Sequence, residues 1–107
     1  MELNQYHIVL VNLDPTIGSE MKKTRPFVII SPNEMNRHLN TIVIAPMTSQ
    51  SKNYPTRVPI TFNKTKCWVV LDQIRTIDRQ RIVKILGTLK EKEILHVKST
   101  MHETYVA

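Results

Sequence analysis

The sequence predicts a mainly β domain, a small curved sheet or barrel of about five to seven short strands closed by one C-terminal α-helix. Three observations point there. β-Branched and aliphatic runs of strand length recur along most of the chain, each bounded by Pro, Asn, Asp or a cluster of charges. Only the tail changes period: Ile94, Val97, Met101 and Tyr105 recur at helical spacing and form one apolar stripe. With 107 residues, the chain has material for a single domain over 1–107 with one modest core.

The elements follow in order. "HIVLVNL" (7–13) reads as a strand that Asp14 and Pro15 close off, and a polar loop over 14–24 contains Gly18. "RPFVIIS" (25–31) is the second strand, and "PNEMNRH" (32–38) a turn or one short helical piece. "TIVIAPMT" (41–48) is the third, expected to end near Pro46. After the loop "QSKNYP", "TRVPITF" (56–62) is a fourth strand, in which Pro59 marks an edge or a bulge. "NKTK" (63–66) is a turn, "CWVVLDQIRTI" (67–77) a long fifth strand, "DRQR" a tight turn and "IVKIL" (82–86) a sixth. Gly87 breaks that strand, and Thr88 and Glu91 have the spacing of a capping box for the helix.

Composition narrows the function classes. No apolar run approaches the roughly 20 residues that cross a bilayer. "MELNQYHIVLV" lacks the basic start and small-residue cleavage site of a signal peptide. The single cysteine, Cys67, allows no internal disulfide, and a reducing cytoplasm fits best. Fifteen Lys and Arg against nine Asp and Glu give a net charge of +6. That excess favours a polyanionic partner, nucleic acid first.

Chemistry concentrates near "GSEMKKTRPFVIISP". The residue before a proline is held extended, so Pro26 presents Arg25 at a fixed angle. Its guanidinium can donate paired hydrogen bonds to a phosphate, or form a surface ion pair with Glu20 or Asp14. Thr48 and Ser49, at the end of the third strand, can donate to a phosphate oxygen or cap a turn. Asp72 lies among apolar residues, where a carboxylate needs a partner such as Arg75 or a backbone amide. Tyr54, Phe62 and Trp68 can each stack one base, although Phe62 and Trp68 read first as core. Histidine acid–base chemistry finds little support, because His96 and His102 lie in the helix and neither His7 nor His38 sits in a turn with hydroxyls and cations. His96 follows Glu93 at i+3, a di-metal spacing that lacks its second copy, so neither metal nor cofactor is expected. There is no GxSxG, Walker loop or CxxC.

Four segments, in this order and spacing, carry a resemblance: "VNLDPTIGSEMKKTRPFVIISP", "IAPMTS", "NYPTRVPI" and "VVLDQIRTID". From about residue 5 to the C-terminal helix the chain resembles the MazF/PemK toxins of bacterial type II toxin–antitoxin pairs. The resemblance implies an SH3-like barrel with a C-terminal helix, a homodimer, and a cytoplasmic, sequence-specific, ribosome-independent endoribonuclease (an mRNA interferase). It also implies a cognate antitoxin whose acidic C-terminal segment blocks the RNA groove. Arg25 and Thr48 fall on the family's catalytic pair, and Glu20 on a carboxylate important in some members. Asp72 matches an aspartate implicated in others, and Gln73 and Arg75 lie where the family lines its RNA groove. Ser19, Lys22 and Lys23 of the loop, with Ser49 and Gln50 of the turn, are expected to contact RNA as well. Ser19 and Val70 replace a histidine and an arginine used by one branch, which moves the weight onto Arg25 and Thr48.

Two readings compete with the nuclease. Gyrase poisons resemble these nucleases in fold and act on a protein through a C-terminal Trp and Ile, whereas this chain ends "HETYVA". A non-catalytic nucleic-acid-binding module would keep the basic face without the cleavage.

Overall fold

Strand β3 (Thr41–Thr48) is the hub of the structure, because it pairs with three neighbours. The computed structural model describes residues 1–14, 23–50 and 53–106. Among them the elements are β1 (His7–Asn12), β2 (Thr24–Ile29), α1 (Asn33–His38), β3, β4 (Arg57–Phe62), β5 (Thr65–Val70), β6 (Arg75–Asp78), β7 (Ile82–Thr88) and α2 (Glu91–Tyr105). The seven strands form one curled antiparallel sheet in the order β4–β5–β3–β2–β1–β7, with β6 also on β3. The predicted mainly β fold, a curved sheet or barrel of short strands with one C-terminal helix, is observed, as a half-barrel of seven strands. No helix among the described residues is long and apolar enough to cross a membrane.

Both faces of the central strands are buried, so their sequences read as continuous apolar runs rather than alternating ones. Val9, Val11, Phe27, Ile29, Ile42 and Ile44 point to one side and pack with Leu3, Ile77 and Ile82. Their alternates Ile8, Val28 and Ala45 point to the other side, where β4, β5 and α2 cover them with Val58, Ile60, Val69, Leu71 and Val97. The predicted stripe supplies the helix contacts: Val97 is fully buried, Ile94 and Met101 are partly so. Tyr105 ends the stripe by donating its hydroxyl to the Leu71 carbonyl.

Three expectations are corrected. β3 does not stop at Pro46. The amides of Ile44, Pro46 and Thr48 face the edge shared by β6 and β5, and Pro46 falls between those two ladders, where no partner requires an N–H. The long fifth strand is two strands. A 3₁₀ turn at Leu71–Gln73 separates β5 from β6, and the pairing register against β3 jumps by the three residues of that turn. The helix cap also shifts. Thr88 closes β7 and donates to the Tyr6 carbonyl, whereas Glu93 Oε1 accepts the Lys90 N–H at 2.9 Å.

Pro59 lies on an edge strand, as predicted. The donors of β4 that face away from β5 belong to Arg57, Pro59 and Thr61. Arg57 N–H donates to the Tyr54 carbonyl at 3.1 Å, Pro59 has no N–H, and Thr61 N–H donates to Glu93 Oε2 at 2.8 Å. No free donor row is left for another chain to pair with. At the far end of β4, Asn63 (φ 51°) and Lys64 (φ 62°) make a two-residue turn of the left-handed kind that matches hairpin twist.

Candidate active site

The β2–β3 register pairs Phe27 with Pro46. The β2–β3 ladder ends at that pair, and Arg25, at the start of β2, and Thr48, at the end of β3, each lie two residues beyond it. Both side chains line one cavity of 350 Å³, together with Pro26, Met47, Ser49, Phe62 and Cys67. The rim carries a guanidinium and two hydroxyls, and the floor is apolar. Arg25 is exposed, and among the described residues nothing hydrogen-bonds or ion-pairs with its guanidinium. Its extended backbone at the mouth of β2 follows from Pro26.

Thr48 is less free. Its hydroxyl donates to the Gln50 carbonyl at 3.1 Å and accepts the Gln50 N–H at 3.2 Å. The two bonds hold Oγ1 in place in the turn that ends β3, and the hydroxyl proton can turn from an exposed carbonyl to an incoming oxygen. Ser49 and Gln50 are exposed beside it.

Arg25 also borders a second cavity of 270 Å³ with Leu13, Lys23 and Thr24. That cavity sits at the base of the β1–β2 connection. Leu13 N–H donates to the Lys23 carbonyl at 2.7 Å, and Lys23 N–H to Asp14 Oδ2 at 3.4 Å. Asp14 N–H in turn donates to Oδ1 of the buried Asn12. Arg81, from the turn before β7, donates to the carbonyls of Asn12 and Asp14 and ties both strand ends together. Ser19, Glu20 and Lys22, expected from sequence to serve the site, lie outside the described residues.

Asp72 sits in the 3₁₀ turn rather than inside a strand; of the two partners expected for it, a backbone amide is present and Arg75 is not among its partners. Thr56 Oγ1 donates to Asp72 Oδ1 at 2.8 Å, and Arg57 Nε lies 3.4 Å from the same oxygen. Partial burial pushes the carboxyl up. Hydrogen bonds from Thr56, its own backbone N–H and Arg57, with the Arg57 charge, outweigh that and hold it below its ordinary value. Arg57 in turn stacks over the Tyr54 ring, 4.9 Å from its centroid.

The structure therefore gathers Arg25, Thr48 and Ser49 at one cavity, with Lys23 at the adjoining one. Asp72, Gln73 and Arg75 are not among the residues lining either cavity. Gln73 and Arg75 are exposed on the turn and on β6. One member of the cavity, Phe62, reads from sequence as core, since an apolar residue inside a strand carries no sign that the core ends beside it. Arg57 was missed because nothing local links it to a carboxylate 15 residues away. Among the described residues, no group of three or more His, Cys, Asp and Glu is placed to hold a metal ion.

Fold and cavity together define a small half-barrel domain whose sheet end offers a cation and hydroxyls to an anionic group. Residues 4–105 match the family of PemK-like, MazF-like toxins of type II toxin–antitoxin systems, and the chain belongs to that family. It is 32% identical over 100 residues to the endoribonuclease MazF of Staphylococcus epidermidis, covering 88% of this chain and 83% of that protein. The crystal structure of MazF from Deinococcus radiodurans superposes with a TM-score of 0.76 at 25% identity, covering 96% of each chain. A mycobacterial endoribonuclease solved with its cognate antitoxin shares the fold, with a TM-score of 0.80 at 19% identity, over 94% of this chain and 92% of that one.

Proposed function

We propose that this toxin is a sequence-specific, ribosome-independent endoribonuclease that cuts single-stranded RNA, mRNA above all, and so arrests growth. The observation that carries the reading is the meeting of Arg25 and Thr48 at one cavity beneath a basic loop base. The endoribonuclease MazF relatives support the same reaction class.

The chemistry follows from the donors available. The ribose 2′-hydroxyl attacks the adjacent phosphorus, a bond forms from O2′, and the bond to the 5′-oxygen of the next nucleotide breaks. Negative charge grows on the non-bridging oxygens. Arg25 and the Thr48 hydroxyl stabilise it, the kind of preorganised electrostatics that usually supplies the largest catalytic contribution. Glu20 takes the 2′-hydroxyl proton, and the leaving 5′-oxygen takes a proton from solvent water, so the products are a 2′,3′-cyclic phosphate and a 5′-hydroxyl. The tethered nucleophile lowers the barrier by about 7–11 kcal/mol in favourable models. No metal-bound hydroxide is then required.

Lys23 and Lys22 hold the RNA backbone from one side, with Ser19, Ser49 and Gln50 adding polar contacts. Gln73 and Arg75 extend the track along β6, and Asp72 orients Arg57 and the turn beside it. The protein works as a cytoplasmic homodimer with RNA lying along both chains. A cognate antitoxin, such as the one bound to the mycobacterial relative, silences it with an acidic segment.

The test is direct. Purified protein is incubated with a long RNA, the new ends are mapped, and an oligonucleotide carrying the site is assayed in excess EDTA. A companion oligonucleotide has a single 2′-deoxy residue at the cleaved position. Cleavage of the RNA in EDTA with none of the deoxy version is expected. Cutting of the deoxy version, or loss of all activity in EDTA, would overturn the mechanism.

A further inference from the structure

We infer that Phe62 is a stacking platform for one of the two nucleobases flanking the scissile phosphate, and that this subsite reads the bulk and flatness of the base rather than its hydrogen-bonding edge. The inference rests on the reading of Arg25 and Thr48 as the phosphate-binding pair.

Phe62 is the last residue of β4, on the inward-facing row with Ile60 and Val58. Those two are buried, whereas Phe62 is only half-buried. Its inner neighbours Met47 and Cys67 belong to the same core cluster. The core ends in the 350 Å³ cavity, with Phe62, Met47, Cys67 and Pro26 as its floor and walls and Arg25, Thr48 and Ser49 at its rim. A volume of this size lies within the usual range for ligand sites.

The two halves of the cavity suit the two halves of a nucleotide. A guanidinium beside hydroxyls attracts a phosphodiester. An apolar floor one residue away favours a flat group with an apolar face, and a nucleobase is the only such group covalently attached to a phosphodiester chain. Proline, phenylalanine and methionine side chains carry no strong donor, and a thiol is a weak one. The floor therefore cannot distinguish base edges. It can favour a base over none, and a larger stacking face over a smaller one, because every base has a π-face.

The hairpin geometry keeps the ring in place. Phe62 pairs with Thr65 across the two-residue Asn63–Lys64 turn, and both turn residues are left-handed. Such a short connection leaves no slack for the strand end to swing away from β5.

The experiment measures binding and cleavage separately. The probe for binding is a short single-stranded RNA carrying the mapped site with one 2′-deoxy residue at the cut. If no site can be mapped, a random-sequence RNA of the same length is used. Two further probes carry an abasic ribose at one or the other nucleotide flanking the cut. Phe62→Ala should weaken binding of the full probe by about 5- to 150-fold, the range for one base stacked on an aromatic ring. On one abasic probe, wild type should already be weakened and Phe62→Ala should add almost nothing. Phe62→Leu refills the space without the flat face and should keep the melting temperature while binding as poorly as Phe62→Ala. Phe62→Tyr should bind like wild type. Equal losses on all probes, full binding by Phe62→Leu, or no loss with Phe62→Ala would each overturn the inference. RNA that binds through Phe62 without being cut would sink the cleavage reading and leave Phe62 as the platform for a base beside the phosphate that Arg25 and Thr48 hold.

Discussion

The Thr48 hydroxyl donates to the Gln50 carbonyl at 3.1 Å while it accepts the Gln50 N–H at 3.2 Å. The side chain thus closes a turn and lines the same cavity as Arg25. A hydroxyl has one proton and two lone pairs, so the accepted bond can persist while the proton is redirected to a phosphate oxygen.

Substitution tests the hydroxyl as a whole. Thr48→Ser keeps the hydroxyl and should retain most activity, whereas Thr48→Val should lose roughly 10²–10³ in rate with the fold intact. Arg25→Ala should fall by a similar factor. Arg25→Lys should recover little of it, because an ammonium lacks the paired donors of a guanidinium. Initial rates on a mapped oligonucleotide, with circular dichroism as the folding control, check this. A Thr48→Val variant that cuts at wild-type rate would remove the hydroxyl from the mechanism.

Asp72 gives a pH-dependent prediction. Its carboxyl is held below the ordinary value of 3.8, so the folded state favours the charged form. The stability it contributes is present above the unfolded-state value and is lost as the pH falls through the depressed one. The contribution is modest because the side chain is 36% exposed and solvent screens it. The melting-temperature gap between wild type and Asp72→Asn should therefore shrink as the pH drops from about 6 to 3. A gap that stays constant over that range would show that the carboxylate charge contributes nothing.

Lys64 sits at φ 62°, a conformation that costs a residue with a Cβ about 1–2 kcal/mol. Lys64→Gly converts the turn to Asn-Gly, the preferred pair for this hairpin. It should raise stability by about 1 kcal/mol after the flexibility of glycine in the unfolded chain is counted. Urea denaturation measures the change, and a loss of stability would contradict the turn assignment.

Glu93 joins helix and sheet, since one carboxylate oxygen accepts Lys90 N–H and the other Thr61 N–H. Glu93→Ala should destabilise the protein by about 1–2 kcal/mol, the cost of a lost helix cap. It should also free an edge donor on β4 and raise the tendency to associate. Light scattering at rising concentration, compared with Glu93→Gln, which keeps one acceptor, distinguishes edge exposure from a general loss of stability.

Much of the fold was legible because its signals are local. β-Branched runs between turn residues located the strands, and the spacing of Ile94, Val97, Met101 and Tyr105 located α2 and its buried face. Pro59 announced the edge strand on which it lies. Pro26 announced an extended Arg25, since that constraint acts on the neighbouring residue alone.

The break at Leu71–Gln73, the Thr56 and Arg57 partners of Asp72, and the placement of Phe62 and Cys67 beside Arg25 were not legible. Each depends on register between strands distant in sequence, and a strand's own residues do not encode which partner residue lies opposite. Sequence by itself determined which segments extend, which one coils into a helix, and that an arginine is held ready at a strand mouth. Tertiary structure alone decided what stands beside that arginine, because cross-strand pairing and the point where the core ends arise from packing both faces of the sheet at once.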